Sequence, residues 1–210
     1  MKFQLSSLLF GLAAAVVSAQ EEQTGPFYLH ITGEDGSSID GYAGSCHAGA
    51  AIEGLCYGSG DLPTGSVSSQ YYFNVTGSST VNGAPIGVVS WNLPYTGSDG
   101  NPASVPQSLT LQYQLNSNVA APMFGLGSYG TSLGFDADGK LFAWAYIDDS
   151  TFTPGTNPFP TGEGTAYYQW YVCWQYFTSY YYQSVAWATS SPTHNPTCEP
   201  VDITRVFPSA

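Results

Sequence analysis

Positive charge is nearly absent from this chain. Three Lys+Arg stand against 15 Asp+Glu, for a formal net charge of -12, and charged residues make up only 9% of the sequence. Globular proteins average about 25%. A nucleic-acid ligand needs a cationic surface to displace counterions, and anionic lipid needs the same, so both partner classes are excluded. Lys, Arg, Glu and Leu, the material of long helices, are scarce, while Gly, Ser, Thr and Tyr are common, which argues against a bundle or coiled coil. No HExxH occurs, so a zinc-protease helix is missing. Beyond the first twenty residues no apolar run reaches the roughly 18 residues of a membrane span.

What is present is aromatic and punctuated. Aromatics are 15% of the chain, and 24 Gly and 14 Pro break it into short pieces. Met1-Lys2-Phe3-Gln4, the apolar Leu5 to Val17, and the small residues Val17-Ser18-Ala19 read as a secretory signal peptide over 1–19. Cleavage there places Gln20 at the mature N-terminus and leaves 20–210 as a single secreted β domain. Lys140 and Arg205 are then its only cations. A copper oxygenase of the secreted polysaccharide-cleaving kind requires His where Gln20 stands.

Export sets the reading of the four cysteines. Cys46, Cys56, Cys173 and Cys198 are an even set, and two disulfides are the default in an oxidising compartment. Three pairings exist; proximity in sequence favours Cys46–Cys56 and Cys173–Cys198. Zinc-type spacing and clustered His are lacking, so no metal and no cofactor is expected. Asn74-Val75-Thr76 is a glycosylation sequon, whereas Pro196 disables the one at Asn195.

Strands are expected at Phe27 to Ile31, Tyr71 to Val75, Ile86 to Leu93 and Leu109 to Leu115, the last with alternate residues Leu109, Leu111, Tyr113 and Leu115 on one face. Leu133 to Trp144 reads as a hairpin turning at Asp138-Gly139. Ala166 to Phe177 and Tyr180 to Ala188 read as strands joined at Thr178-Ser179, with Trp170 and Trp174 on a shared core face. Val201 to Val206 closes the set. One helical turn is expected between Cys46 and Cys56. The fold class is all-β: an antiparallel β-sandwich or jelly-roll-like barrel stapled by disulfides.

The chemistry to be weighed is sparse. Asp136-Ala137-Asp138-Gly139 opens like a calcium loop, but the later ligands are missing and a hairpin turn accounts for it better. His47 beside Cys46 loses its thiol partner to oxidation. Glycoside hydrolysis needs two spaced carboxylates, and Glu53 and Glu163 are the acids to inspect. Tyr180-Tyr181-Tyr182 must send rings to both faces of its strand and forms a candidate glycan contact.

The segments Phe27-Tyr28-Leu29, GSCHAGAAIEGLC (Gly44 to Cys56), FDADGKL (Phe135 to Leu141), NPTC (Asn195 to Cys198) and VDITRVF (Val201 to Phe207) resemble an uncharacterised family of small secreted proteins of ascomycete fungi. With Trp170-Tyr171-Val172-Cys173, the layout is also similar to fungal cell-wall proteins of the phialide-development type. The resemblance implies an extracellular or wall-associated protein and brings no catalytic residues. The expected function is surface or glycan binding, to a wall or host component. The alternatives are a carboxylate-based glycoside hydrolase and a structural wall protein or secreted effector.

Overall fold

The computed structural model describes residues 23–34, 36–127, 129–156 and 164–208. The leader, Gln20 and Glu163 lie outside the described residues. Thirteen strands form one antiparallel network. They are β1 (Gln23–Gly33), β2 (Asp40–Gly49), β3 (Ile52–Ser59), β4 (Tyr71–Val81), β5 (Ala84–Thr96), β6 (Pro102–Gln112) and β7 (Val119–Gly125). After these come β8 (Leu133–Phe135), β9 (Leu141–Ala145), β10 (Thr165–Tyr167), β11 (Trp170–Phe177), β12 (Tyr180–Ala188) and β13 (Glu199–Val206).

The sheet closes on itself. From β5 the pairing runs through β4, β1, β13, β11, β12, β7 and β6 and returns to β5. The β2–β3 hairpin fills in beside β1, β12 and β7, and β8, β9 and β10 extend from β5. Closure satisfies backbone donors and acceptors that an open sheet would leave on its edges.

Period-2 alternation fills the interior. Phe27, Leu29 and Ile31 of β1 are fully buried, as are Tyr71 of β4, Trp170 and Val172 of β11, and Val185 of β12. One core cluster takes residues from Phe27 to Ile203. Trp170 packs edge-on against Trp187 at 4.8 Å. Its indole N–H donates to the Leu141 carbonyl at 2.8 Å, so the ring is buried without losing a hydrogen bond.

Both disulfides form as the sequence predicts, Cys46–Cys56 and Cys173–Cys198. The segment inside the first one differs from expectation: it holds the β2–β3 hairpin, with His47 opposite Glu53, and no helical turn. Pairing of β3 with β7 and β12 overrides the weak helical preference of its small residues. Gly54 is required there, because a Cβ would sit 2.7 Å from the Phe177 ring.

Three further readings are corrected. Trp174 shares the strand face of Trp170 yet is exposed, because the layer covering Trp170 and Val172 stops short of it. Tyr113 and Leu115 lie past the end of β6 and are exposed, while Leu109 and Leu111 pack on the core. The expected strand from Ala166 breaks at Tyr168-Gln169, so β10 pairs with β9 and β11 with β12. No helix among the described residues is long and apolar enough to cross a membrane.

Candidate functional site

The β11–β12 hairpin is regular along its whole length, from Trp170 opposite Trp187 to Phe177 opposite Tyr180. A fixed register gives each side chain a fixed face. On one face Trp170, Val172, Val185 and Trp187 lie in the core. The same face then emerges, and Trp174, Tyr176 and Tyr181 are 43%, 63% and 57% exposed. Trp174 stacks on Tyr181 at 5.2 Å between ring centroids, and Tyr181 meets Tyr176 at 6.3 Å. Three large rings thus form one continuous exposed ladder.

A groove of about 650 Å³ adjoins the ladder at the hairpin tip. Tyr176 lines it and so belongs to both. Ile52, Met123 and Phe177 supply its apolar surface, and Thr110, Gln112 and Gln114 its polar groups. Gln114 also donates its side-chain amide to the Tyr176 carbonyl at 3.3 Å, tying the β6–β7 connection to the hairpin. No charged residue is among the described residues that line this groove.

The Tyr180-Tyr181-Tyr182 run does divide between faces. Tyr181 joins the ladder, while Tyr180 and Tyr182 stack on each other at 5.9 Å on the far face. There Tyr180 packs edge-on against His47 at 5.3 Å, and the Tyr182 hydroxyl donates to the His47 carbonyl at 3.2 Å. Trp174 and Tyr176 were not expected in the site. Alternation places both on the strand face of Trp170 but carries no information on where the core ends.

The acids are spread out. Glu53, its side chain 13% exposed, lies 3.5 Å from His47 Nδ1. A separate hollow of about 250 Å³ is lined by Asp136, Asp138 and Tyr168. Asp136 Oδ1 accepts from the Asp138 and Lys140 backbone N–H groups, and Oδ2 from the Tyr168 hydroxyl at 3.0 Å. Both oxygens are therefore used in holding the β8–β9 turn. Burial, reinforced by the hydrogen bond to Asp136 and by the negative charges of Asp136, Asp138 and Asp202, pushes the Tyr168 phenol up to about 12. Lys140 pairs with Asp202 at 2.6 Å. That hydrogen bond, with the Asp202 charge, holds the ammonium above its usual range. Among the described residues no group of three or more His, Cys, Asp or Glu is placed to hold a metal ion.

Asn74 is half-buried in β4. Its side-chain N–H donates to Ser90 Oγ at 2.8 Å, and its Oδ1 accepts from Gln23 at 2.7 Å. Attachment of a glycan consumes one of the two amide hydrogens and leaves the other for Ser90.

The described molecule is thus a disulfide-stapled, closed antiparallel β protein with an exposed aromatic ladder beside an uncharged groove. The family model described as "Domain of unknown function (DUF7907)" matches residues 24–207, and the chain belongs to that family. No curated protein and no solved structure matches the chain.

Proposed function

We propose that this is a secreted fungal protein, extracellular or wall-associated, that binds neutral glycans through the β11–β12 ladder and performs no covalent chemistry. The ladder of Trp174, Tyr181 and Tyr176 carries the reading. Sugar rings present C–H faces that pack on aromatic rings, and a contiguous exposed apolar patch on a protein surface marks an interaction site. The groove beside it offers hydroxyl and amide groups without charge, which suits hydroxyl-bearing ligands rather than ions. The disulfides fit an oxidising compartment. Cleavage after Ala19 and a glycan on Asn74 belong to the same reading, and the mass of the exported product before and after deglycosylation checks both.

Retention on insoluble neutral polysaccharides tests the binding. We expect retention that high salt does not release, because no charge in the groove is there to be screened. Trp174→Ala and Tyr181→Ala are each expected to weaken binding about tenfold, the size of one lost aromatic contact. Trp174 fluorescence should shift on binding. Absence of retention on any neutral polymer overturns the proposal.

A further inference from the structure

Arg205 lies in β13 opposite Leu29 of β1, and its backbone N–H donates to the Gly139 carbonyl. Its guanidinium carbon is 4.8 Å from the centroid of the Phe135 ring and 5.6 Å from that of Phe207. It lines a pocket of about 190 Å³ whose other walls are Thr24, Phe73, Val75, Pro85 and Phe135. Among the described residues the guanidinium has no ion-pair partner and no hydrogen-bond acceptor, although the chain carries 15 acids. The contrast with Lys140, neutralised by Asp202 at 2.6 Å, is direct.

We propose that this pocket is a binding site for a small carboxylate with an apolar body, held by Arg205. A guanidinium presents a planar fork of N–H donors that matches the two oxygens of a carboxylate. Half-removing such a cation from water without a counter-charge is unfavourable, and an incoming anion relieves that cost. Burial without a compensating acid does push Arg205 below its usual range. The aromatic and aliphatic walls leave no place for a polyhydroxylated body but accept a flat or branched hydrocarbon one. Among the described residues, Thr24 is the one polar residue besides Arg205 that lines the pocket. This site is separate from the glycan ladder and stands without it.

Benzoate is the probe, and benzamide, of the same shape without charge, is its control. The full exported chain is titrated at pH 7 and the backbone amide resonances are followed. We expect Thr24, Val75 and Phe135 to shift with benzoate and saturate at a Kd on the order of 1 mM. Benzamide should leave them unmoved, and high salt should weaken the binding. Arg205→Met keeps the apolar stem and should weaken benzoate binding at least tenfold, while Arg205→Lys, with charge but no fork, should fall between. Melting curves establish that both variants fold. Equal shifts with benzamide, or undiminished binding by Arg205→Met, overturn the proposal.

Discussion

Two tryptophans four residues apart on one strand face meet opposite surroundings. Trp170 is enclosed, with its N–H bonded to the Leu141 carbonyl. Truncation to Ala should cost roughly 3–5 kcal/mol, as for other buried aromatics. Trp174→Ala should leave stability within about 0.5 kcal/mol, since it removes an exposed ring. Urea unfolding of the two variants separates these outcomes. Thr178, at the turn between β11 and β12, has φ +53, a conformation that a β-branched residue adopts at a cost. Thr178→Gly should raise stability by roughly 0.5–1 kcal/mol, part of the relief being lost to the greater freedom of Gly when unfolded. Tyr71 and Tyr168 carry an alkaline prediction. Full burial raises the Tyr71 phenol, while at Tyr168, 44% exposed, partial desolvation with the Asp136 hydrogen bond and the nearby acids raises it to about 12. The unfolded chain loses these protons near pH 10 while the folded chain keeps them, so their contribution is full below pH ~10 and is lost as pH rises toward 12. Phenolate absorbance should show these two ionising last, and Tyr168→Phe should lessen the alkaline loss of stability.

The strands were legible in the sequence where alternation is clean. Phe27, Leu29 and Ile31, and Val201 and Ile203, show their inward face directly, and so do the Asp138-Gly139 and Thr178-Ser179 turns. The element β7 was not legible. Val-Ala-Ala-Pro-Met-Phe-Gly is buried at nearly every position, which erases the period, and Pro122 suggests a break. The β2–β3 hairpin was hidden by its small residues, although the cysteine spacing that bridges it was plain. Of the candidate site, Tyr181 was visible as part of a conspicuous run, while Trp174 and Tyr176 looked like core. Their exposure depends on how far the opposing layer reaches, a property of the assembled sheet that no local pattern encodes. The staples have different leverage. Cys46–Cys56 spans 10 residues within a hairpin and Cys173–Cys198 spans 25 between β11 and the approach to β13. Replacing either pair with Ala should cost about 3 kcal/mol, slightly more for the longer loop. Thermal unfolding of the two double variants, without reductant, measures this.

For the whole molecule, the net charge of -12 has few internal counter-charges to absorb it. Among the described residues two carboxylates are held below their usual range, both in turns: Asp99, through hydrogen bonds from Asn101, and Asp148, through those from Ser150. Groups with lowered values stabilise above their unfolded pKa, and that contribution is lost as pH falls through the folded value. Both are exposed, so the loss is small, while protonation elsewhere relieves repulsion. The melting temperature should therefore stay nearly level from pH 8 to about 4 and fall modestly below that; a steep fall on that upper stretch would contradict it.

The pairing of β1 with β13 has a consequence for the order of events in time. Residues Tyr28 to Gly33 find their partners at Val201 to Val206, almost the full length of the chain away. The ring cannot shut while a nascent chain is still missing β13. Such distant closure makes folding slow and late. The polypeptide should stay open, and threadable through a narrow channel, until β13 has been made. Chains truncated before Glu199 should remain protease-sensitive however long they are left to fold.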